Sequence, residues 1–241
     1  MPNRLHEQDA TLLPPIETHD LRTNLVAFLD SPFLDPITGK IGPVGNYNWG
    51  VYAFYDYDLE PIYVGQTNER LRTRIRRHLT NQRTDAVAMS VLDPFEVFEI
   101  EVWPLPQFQR VGLDGKAAAK DTLNSLELAV YNRALEQSVF HAVLNEKNPP
   151  EGLANIDLNN IPSFRQRIVS ERVYAIRSHP DFRIARRALI ISRLAQVISE
   201  RKVQAGLRRV LSTQAKRLEW LAERRFAGLG GEAAVAIEDE E

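Results

Sequence analysis

A fixed cation and a titratable imidazole share one edge of a short amphipathic segment. Over residues 69–81, Leu71, Ile75 and Leu79 recur at i, i+4 and i+8, the spacing of a buried helical stripe. Arg74 and His78, four residues apart, fall on one flank of that stripe, and Arg72 and Arg76 fall on the other. Arg74 and His78 can therefore point together at one site, whereas Arg70, Arg76 and Arg77 read as a solvated basic face. A carboxylate in an unexpected place adds to the pattern. Over residues 117–137 the inward face holds Leu123, Leu126, Val130, Tyr131 and Ala134, and Glu127 lies in its middle, with Asp121 and Glu136 opposite. A core-facing carboxylate is costly unless it is ion-paired or holds a cation. No Lys or Arg occupies the neighbouring inward positions of the same helix, which ranks a metal-ligand role for Glu127 ahead of a buried ion pair with one of the arginines.

The elements that must position these groups follow from periodicity. Leu21, Leu25, Val26, Phe28 and Leu29 predict a short amphipathic helix, and residues 32–45, with their prolines and glycines, read as irregular loop. Val51–Tyr55 and Pro61–Val64 are β-rich runs joined by an acidic turn, a hairpin that carries Tyr52 and Tyr63 on its two strands. Aromatics so placed serve cross-strand packing as readily as chemistry. The helix at 69–81, an alternating strand at 95–103 and the helix at 117–137 complete a ββαβα order, an α+β domain expected to span 47–150. Residues 1–46 form an N-terminal extension. Residues 151–228 read as a linker and an all-helical accessory segment of two or three helices with breaks at His179–Pro180 and near Gly206, and 229–241 as an acidic, disordered tail.

Composition excludes several classes of chemistry. The chain has no Cys, so thiolate nucleophiles, zinc fingers and iron–sulfur clusters are out, and its five His show no close metal-ligand pairing; any metal would be a hard ion held by oxygen. No apolar run reaches membrane-spanning length and the first ten residues lack a signal-peptide core, so a cytoplasmic location is expected. The formal charge of −2 conceals an uneven distribution. Residues 47–150 carry 11 Lys+Arg against 14 Asp+Glu, while residues 162–228 carry 16 against 5, of which 14 are Arg, leaving +11. That segment is the expected nucleic-acid grip, with a seam through Phe182, Ala185, Ala188, Leu189, Ser192, Leu207, Val210, Leu211, Leu218 and Leu221 as its helical packing or oligomerisation face.

Gly50-Val51-Tyr52, then Tyr63-Val64-Gly65, then Arg74 and His78 on a helix, Glu127 on a later helix and Asn145 beyond it, resemble in order and context the GIY-YIG nuclease superfamily. The resemblance covers about residues 47–149 and implies phosphodiester hydrolysis with a divalent metal, Mg²⁺ or Mn²⁺. It implies that Tyr52 and Tyr63 order or deprotonate the attacking water, that Arg74 neutralises the phosphate, and that His78 partners Tyr52. Glu127 would be the single metal ligand, and Asn145 would close the site or bind substrate. Gln66 stands where some relatives have Lys, and Arg72, Asn132 and Asn148 are alternative occupants of the arginine and asparagine roles. The expected function is a metal-dependent DNA endonuclease of restriction or defence type, acting on duplex DNA as a dimer or higher oligomer. The alternatives are a mobile-element or repair nuclease, or a catalytically silent nucleic-acid-binding module.

Overall fold

The computed structural model describes residues 14–80, 91–203 and 205–231; Asn81, the first thirteen residues and most of the expected acidic tail lie outside them. In chain order the elements are α1 (Ile16–Asp30), β1 (Pro32–Leu34), β2 (Ile41–Pro43), β3 (Gly50–Tyr55), β4 (Pro61–Thr67), α2 (Leu71–Leu79), β5 (Glu99–Pro104), α3 (Lys116–Gln137), β6 (Phe164–Arg167), α4 (Glu171–Arg177), α5 (Pro180–Glu200) and α6 (Ala205–Gly228). The α+β reading of the sequence is what the chain adopts.

The central sheet is antiparallel with strand order β4-β3-β5-β6, so β4 is an edge strand. Alternation along β3 divides the core in two, as period-2 geometry requires. Tyr52 and Phe54, with Ile100 and Val102 of β5, face Leu25, Phe28 and Leu29 of α1, Leu71 and Ile75 of α2, and Leu194, Leu207 and Val210 of the last two helices. Val51, Ala53 and Tyr55, with Trp103, face Leu123, Leu126 and Val130 of α3. The sheet is thus covered on both sides, with β4 at one outer edge and β6 at the other.

Four differences from the expected elements have physical causes. Within 32–45 the chain forms a small hairpin, Pro32↔Pro43, Phe33↔Gly42 and Leu34↔Ile41, whose three-residue strands are too short to show a period. The strand expected from 95 starts at Glu99 because Asp93 accepts a hydrogen bond from the Phe95 amide and caps a 3₁₀ turn over Pro94–Glu96. The C-terminal segment is not all helix: Phe164–Arg167 pairs with β5 and completes the sheet. Finally, the inward face of α5 is Arg183, Arg187, Ile190 and Leu194, whereas Phe182 and Leu189 are exposed. The apolar seam expected there is rotated because arginines were placed on the solvent side.

Their burial has a single organising partner. Asp56, 1% exposed, sits in the β3–β4 turn; its Oδ1 accepts from the amides of Asp58 (2.8 Å) and Glu60 (3.1 Å). Its Oδ2 accepts from Arg183 (3.2 Å), Arg187 (2.7 Å) and Arg217 (2.6 Å). One oxygen holds the turn, which includes Leu59 at φ 61°, and the other gathers three buried guanidiniums from two helices. Asp58 and Glu96 share the charge, with Arg183 Nη2 2.6 Å from Asp58 Oδ2 and Arg187 Nε 3.4 Å from Glu96 Oε2. Burial raises the Glu96 carboxyl above its ordinary range, and burial pulls the Arg217 guanidinium down against the opposing pull of Asp56. Further pairs join Arg165 to Glu99, Arg177 to Glu17, Arg186 to Asp93 and Arg225 to Asp181. Much of the local +11 therefore neutralises carboxylates within the fold.

Candidate active site

Antiparallel register puts Tyr52 opposite Gly65 and Phe54 opposite Tyr63, so both tyrosines belong to the α2 side of the sheet. The Tyr52 and Tyr63 rings stack at 6.2 Å between centroids, and the His78 ring lies 5.0 Å from Tyr63 and 5.8 Å from Tyr52. Arg74 Nε donates to the Tyr52 hydroxyl oxygen at 3.3 Å. The flank read from helical spacing is thus the one turned to the hairpin. A glycine is required at 65, because a Cβ there would come within 2.6 Å of the Tyr52 oxygen. Tyr52 lies fully buried beneath that gap. Burial works against the Arg74 charge, but the oxygens of Tyr52 and Tyr63 and the Glu69 carboxylate outweigh it and hold the guanidinium above its ordinary range.

On the other side of the sheet, Gln66 pairs with Val51 and turns toward α3. Its Nε2 donates to Glu127 Oε2 at 2.6 Å and to Asn124 Oδ1 at 3.0 Å, and its Oε1 accepts from Lys120 Nζ at 2.9 Å. Lys120, Asn124 and Glu127 fall at i, i+4 and i+7, a single stripe of α3. Glu127 is buried, 7% exposed, and among the described residues makes no ion pair with an arginine. Burial raises its carboxyl above the ordinary range, offset in part by the Gln66 hydrogen bond and by the charges of Lys120 and Arg74.

The two sides meet around the β4 edge. Asn145 closes that edge: its Oδ1 accepts from the Val64 amide at 3.1 Å and its Nδ2 donates to the Val64 carbonyl at 2.7 Å, while the Leu144 amide donates to the Ile62 carbonyl at 2.8 Å. Both polar ends of the Asn145 amide are thereby engaged by backbone that would otherwise be an unpaired strand edge. The segment is braced from behind by α6. Arg209 Nη2 donates to the Asn145 carbonyl at 3.2 Å, and a Cβ on residue 206 would collide with the Glu146 carbonyl oxygen at 1.8 Å, so only glycine permits this approach.

A cavity of about 360 Å³ opens where these parts converge, lined by Tyr63, Arg74, His78, Glu127 and Asn145 together with Gln66. Five of the six residues singled out in the sequence share its wall. Tyr52 does not; it stands behind Gly65 and reaches the cavity through Arg74. Arg72 is engaged elsewhere, by Asp30 and the Leu29 carbonyl at 3.2 Å, which separates it from Arg74 as a site residue. Asn148 also lines the cavity, and Asn132 is exposed on α3. Lys120 and Asn124 do not stand out in the sequence, and Gln66 stands out there only as the residue where some relatives have Lys. The i, i+4, i+7 stripe was the available signal for the two on α3, while Gln66 required the register of β4.

Among the described residues no cluster of three or more His, Cys, Asp or Glu side chains could hold a metal. The donor set suits only an ion that keeps most of its water. Glu127 offers one carboxylate oxygen engaged by Gln66 and a second with no hydrogen bond among the described residues, and its burial cost falls when a cation sits beside it.

Residues 48–108, covering β3, β4, α2 and β5, match the family model of the GIY-YIG catalytic domain. No curated protein and no solved structure matches the chain.

Proposed function

We propose, from the premise that residues 48–108 are a GIY-YIG nuclease domain, that this chain is a divalent-metal-dependent endonuclease of restriction or defence type, cutting duplex DNA. The observation that carries the metal dependence is the meeting of Arg74, His78 and Tyr63 with Glu127 in one cavity around the edge of β4. A phosphodiester transition state spreads negative charge over several oxygens, and fixed cations in a partly desolvated cleft are the strongest means of stabilising it. Arg74, steadied by the Tyr52 oxygen, can take a nonbridging phosphate oxygen. Tyr63 and His78, with rings 5.0 Å apart, can order the attacking water and receive its proton. A hydrated Mg²⁺ or Mn²⁺ beside Glu127 would supply Lewis-acid charge to the phosphate. Asn145 keeps β4 in place and thereby fixes Tyr63, Gly65 and Gln66.

The described residues form one such cleft, so cleavage of both strands of a duplex calls for two copies acting together. The test is supercoiled plasmid incubated with Mg²⁺ or with EDTA. Cutting that disappears with chelator and in Arg74→Ala and Glu127→Ala supports the assignment; binding without cutting under Mg²⁺ and Mn²⁺ would favour the silent module. Discrete sequenced ends support the restriction setting, and scattered ends count against it.

A further inference from the structure

A second cavity, of about 380 Å³, lies beside the candidate active site at the end of the sheet where β3 begins and β4 and β5 finish. Its charged lining consists of Arg110, Lys116 and Lys120, and among the described residues no carboxylate lines it. All three cations are exposed, and among the described residues neither Arg110 nor Lys116 has an ion-pair partner. The wall that presents them is held by several contacts. Gln109 Oε1 accepts from the Asn48 amide at 2.9 Å, its Nε2 donates to the Asn46 carbonyl at 3.1 Å, and Phe108 packs edge-on against Trp49 at 6.1 Å. Lys120 connects the two cavities: it lines this one and donates to Gln66, which lines the other and donates in turn to Glu127. Gln66 of β4 borders the first cavity, and Asn68, just past the end of that strand, borders the second.

These cations contrast with the arginine-rich C-terminal segment, in which Arg183, Arg187 and Arg217 are buried against Asp56. We propose that the Arg110–Lys116–Lys120 cavity is the subsite for the nucleic-acid backbone next to the scissile phosphate, so that the strand leaves the catalytic cleft over Gln66 and Lys120. The proposal rests on the nuclease reading for which strand is cut, but its geometry needs only that a polyanionic strand enters the cleft. Exposed Lys and Arg without carboxylate partners favour phosphate contacts, which position a duplex and carry no sequence information.

The test measures anisotropy of a labelled duplex oligonucleotide in EDTA, from about 50 to about 200 mM salt, a range over which phosphate contacts dominate the affinity change. Compared are the wild type, Arg110→Gln/Lys116→Gln, and Arg172→Gln/Arg193→Gln on the exposed faces of α4 and α5. The first double variant should bind about tenfold more weakly at 0.1 M salt, with a salt slope shallower by about 2 and the same loss on duplexes of unrelated sequence. Its thermal unfolding should match the wild type, since both side chains are exposed, and its kcat at saturating DNA should hold while KM rises. The second double variant should bind as the wild type does. An unchanged slope in the first variant overturns the subsite, as does a wild type that binds no duplex. Displacement of the duplex by inorganic phosphate at matched ionic strength also overturns it, marking a free-anion site. If the wild type binds and the slope falls as expected but no metal supports cutting, the subsite stands and the nuclease assignment fails.

Discussion

Two places in this molecule concentrate charge near a buried carboxylate, and they behave oppositely. Around Asp56 three guanidiniums converge on one oxygen in a closed core, with the nearest cavity too small to admit a ligand. Around Glu127 a single carboxylate meets an amide, with Lys120 one hydrogen bond further out and Arg74 across an open cavity. Coulombic attraction is satisfied at the first site by the protein itself and left unsatisfied at the second. A closed, mutually neutralised cluster cannot exchange partners, whereas an acid short of cations is suited to accept one. The difference separates charge neutralised within the fold from charge left beside an open cavity more cleanly than local charge density does, since the denser cluster is the neutralised one.

The largest effect that would break this contrast is at the open site. On the proposed metal-ligand role, Glu127→Gln should lower the cleavage rate by at least about a thousandfold, because loss of the proposed cation partner removes several kcal/mol of transition-state stabilisation. Its folding stability at neutral pH should equal or exceed that of the wild type. The sign follows from the raised carboxyl pKa: the folded state disfavours the ionised form, so this side chain costs stability above its unfolded value near 4.5 and removing the charge relieves that cost. A destabilised but active Glu127→Gln protein would reverse the assignment. Denaturant unfolding and plasmid cleavage check the two readouts separately.

At the closed site the effects exchange places. Asp56→Asn leaves Arg183, Arg187 and Arg217 without their shared anion, and breaking a buried pair of this kind costs about 3–5 kcal/mol. Unfolding in guanidinium chloride should show the loss, while protein that remains folded at low temperature should cut with near-normal kcat. A smaller effect is expected at the brace between the regions. Arg209→Ala removes the hydrogen bond to the Asn145 carbonyl, a loss of about 1–2 kcal/mol with a several-fold drop in activity and little change in duplex affinity. The smallest concerns Asp58. Burial opposes its ionisation, but Arg183 prevails and holds the carboxyl below its ordinary 3.8, so its contribution to stability is present above that value and lost as pH falls through the depressed pKa. The stability gap between wild type and Asp58→Asn should therefore be constant near neutrality and shrink below about pH 4; a gap that widens on acidification would contradict the pairing.

Much of the site was legible because it obeys local periodicity. The i, i+4, i+8 stripe of α2 fixes the flank that Arg74 and His78 share, and the inward position of Glu127 on α3 follows from the same arithmetic. The hairpin bearing Tyr52 and Tyr63 was legible from its β-rich runs. Arg183, Arg187 and Arg217 were not, since helical spacing assigns a charged residue to the solvent face unless a buried counter-charge is known, and Asp56 lies more than a hundred residues earlier. Phe164–Arg167 was absorbed into the helical segment because four residues, half of them arginine, show no strand period of their own.

The sequence alone therefore determined which residues share a helix face or a hairpin, and with them the nuclease-like order of tyrosines, arginine, histidine and glutamate. Only the tertiary structure decided where the positive charge goes. It placed Tyr52 behind Gly65, Asn145 on the open edge of β4 and Lys120 beside Gln66, and it drew three arginines of the basic segment onto Asp56. The physical reason is that periodicity reports contacts within an element, whereas the partner of a buried charge is set by packing between elements distant in the chain.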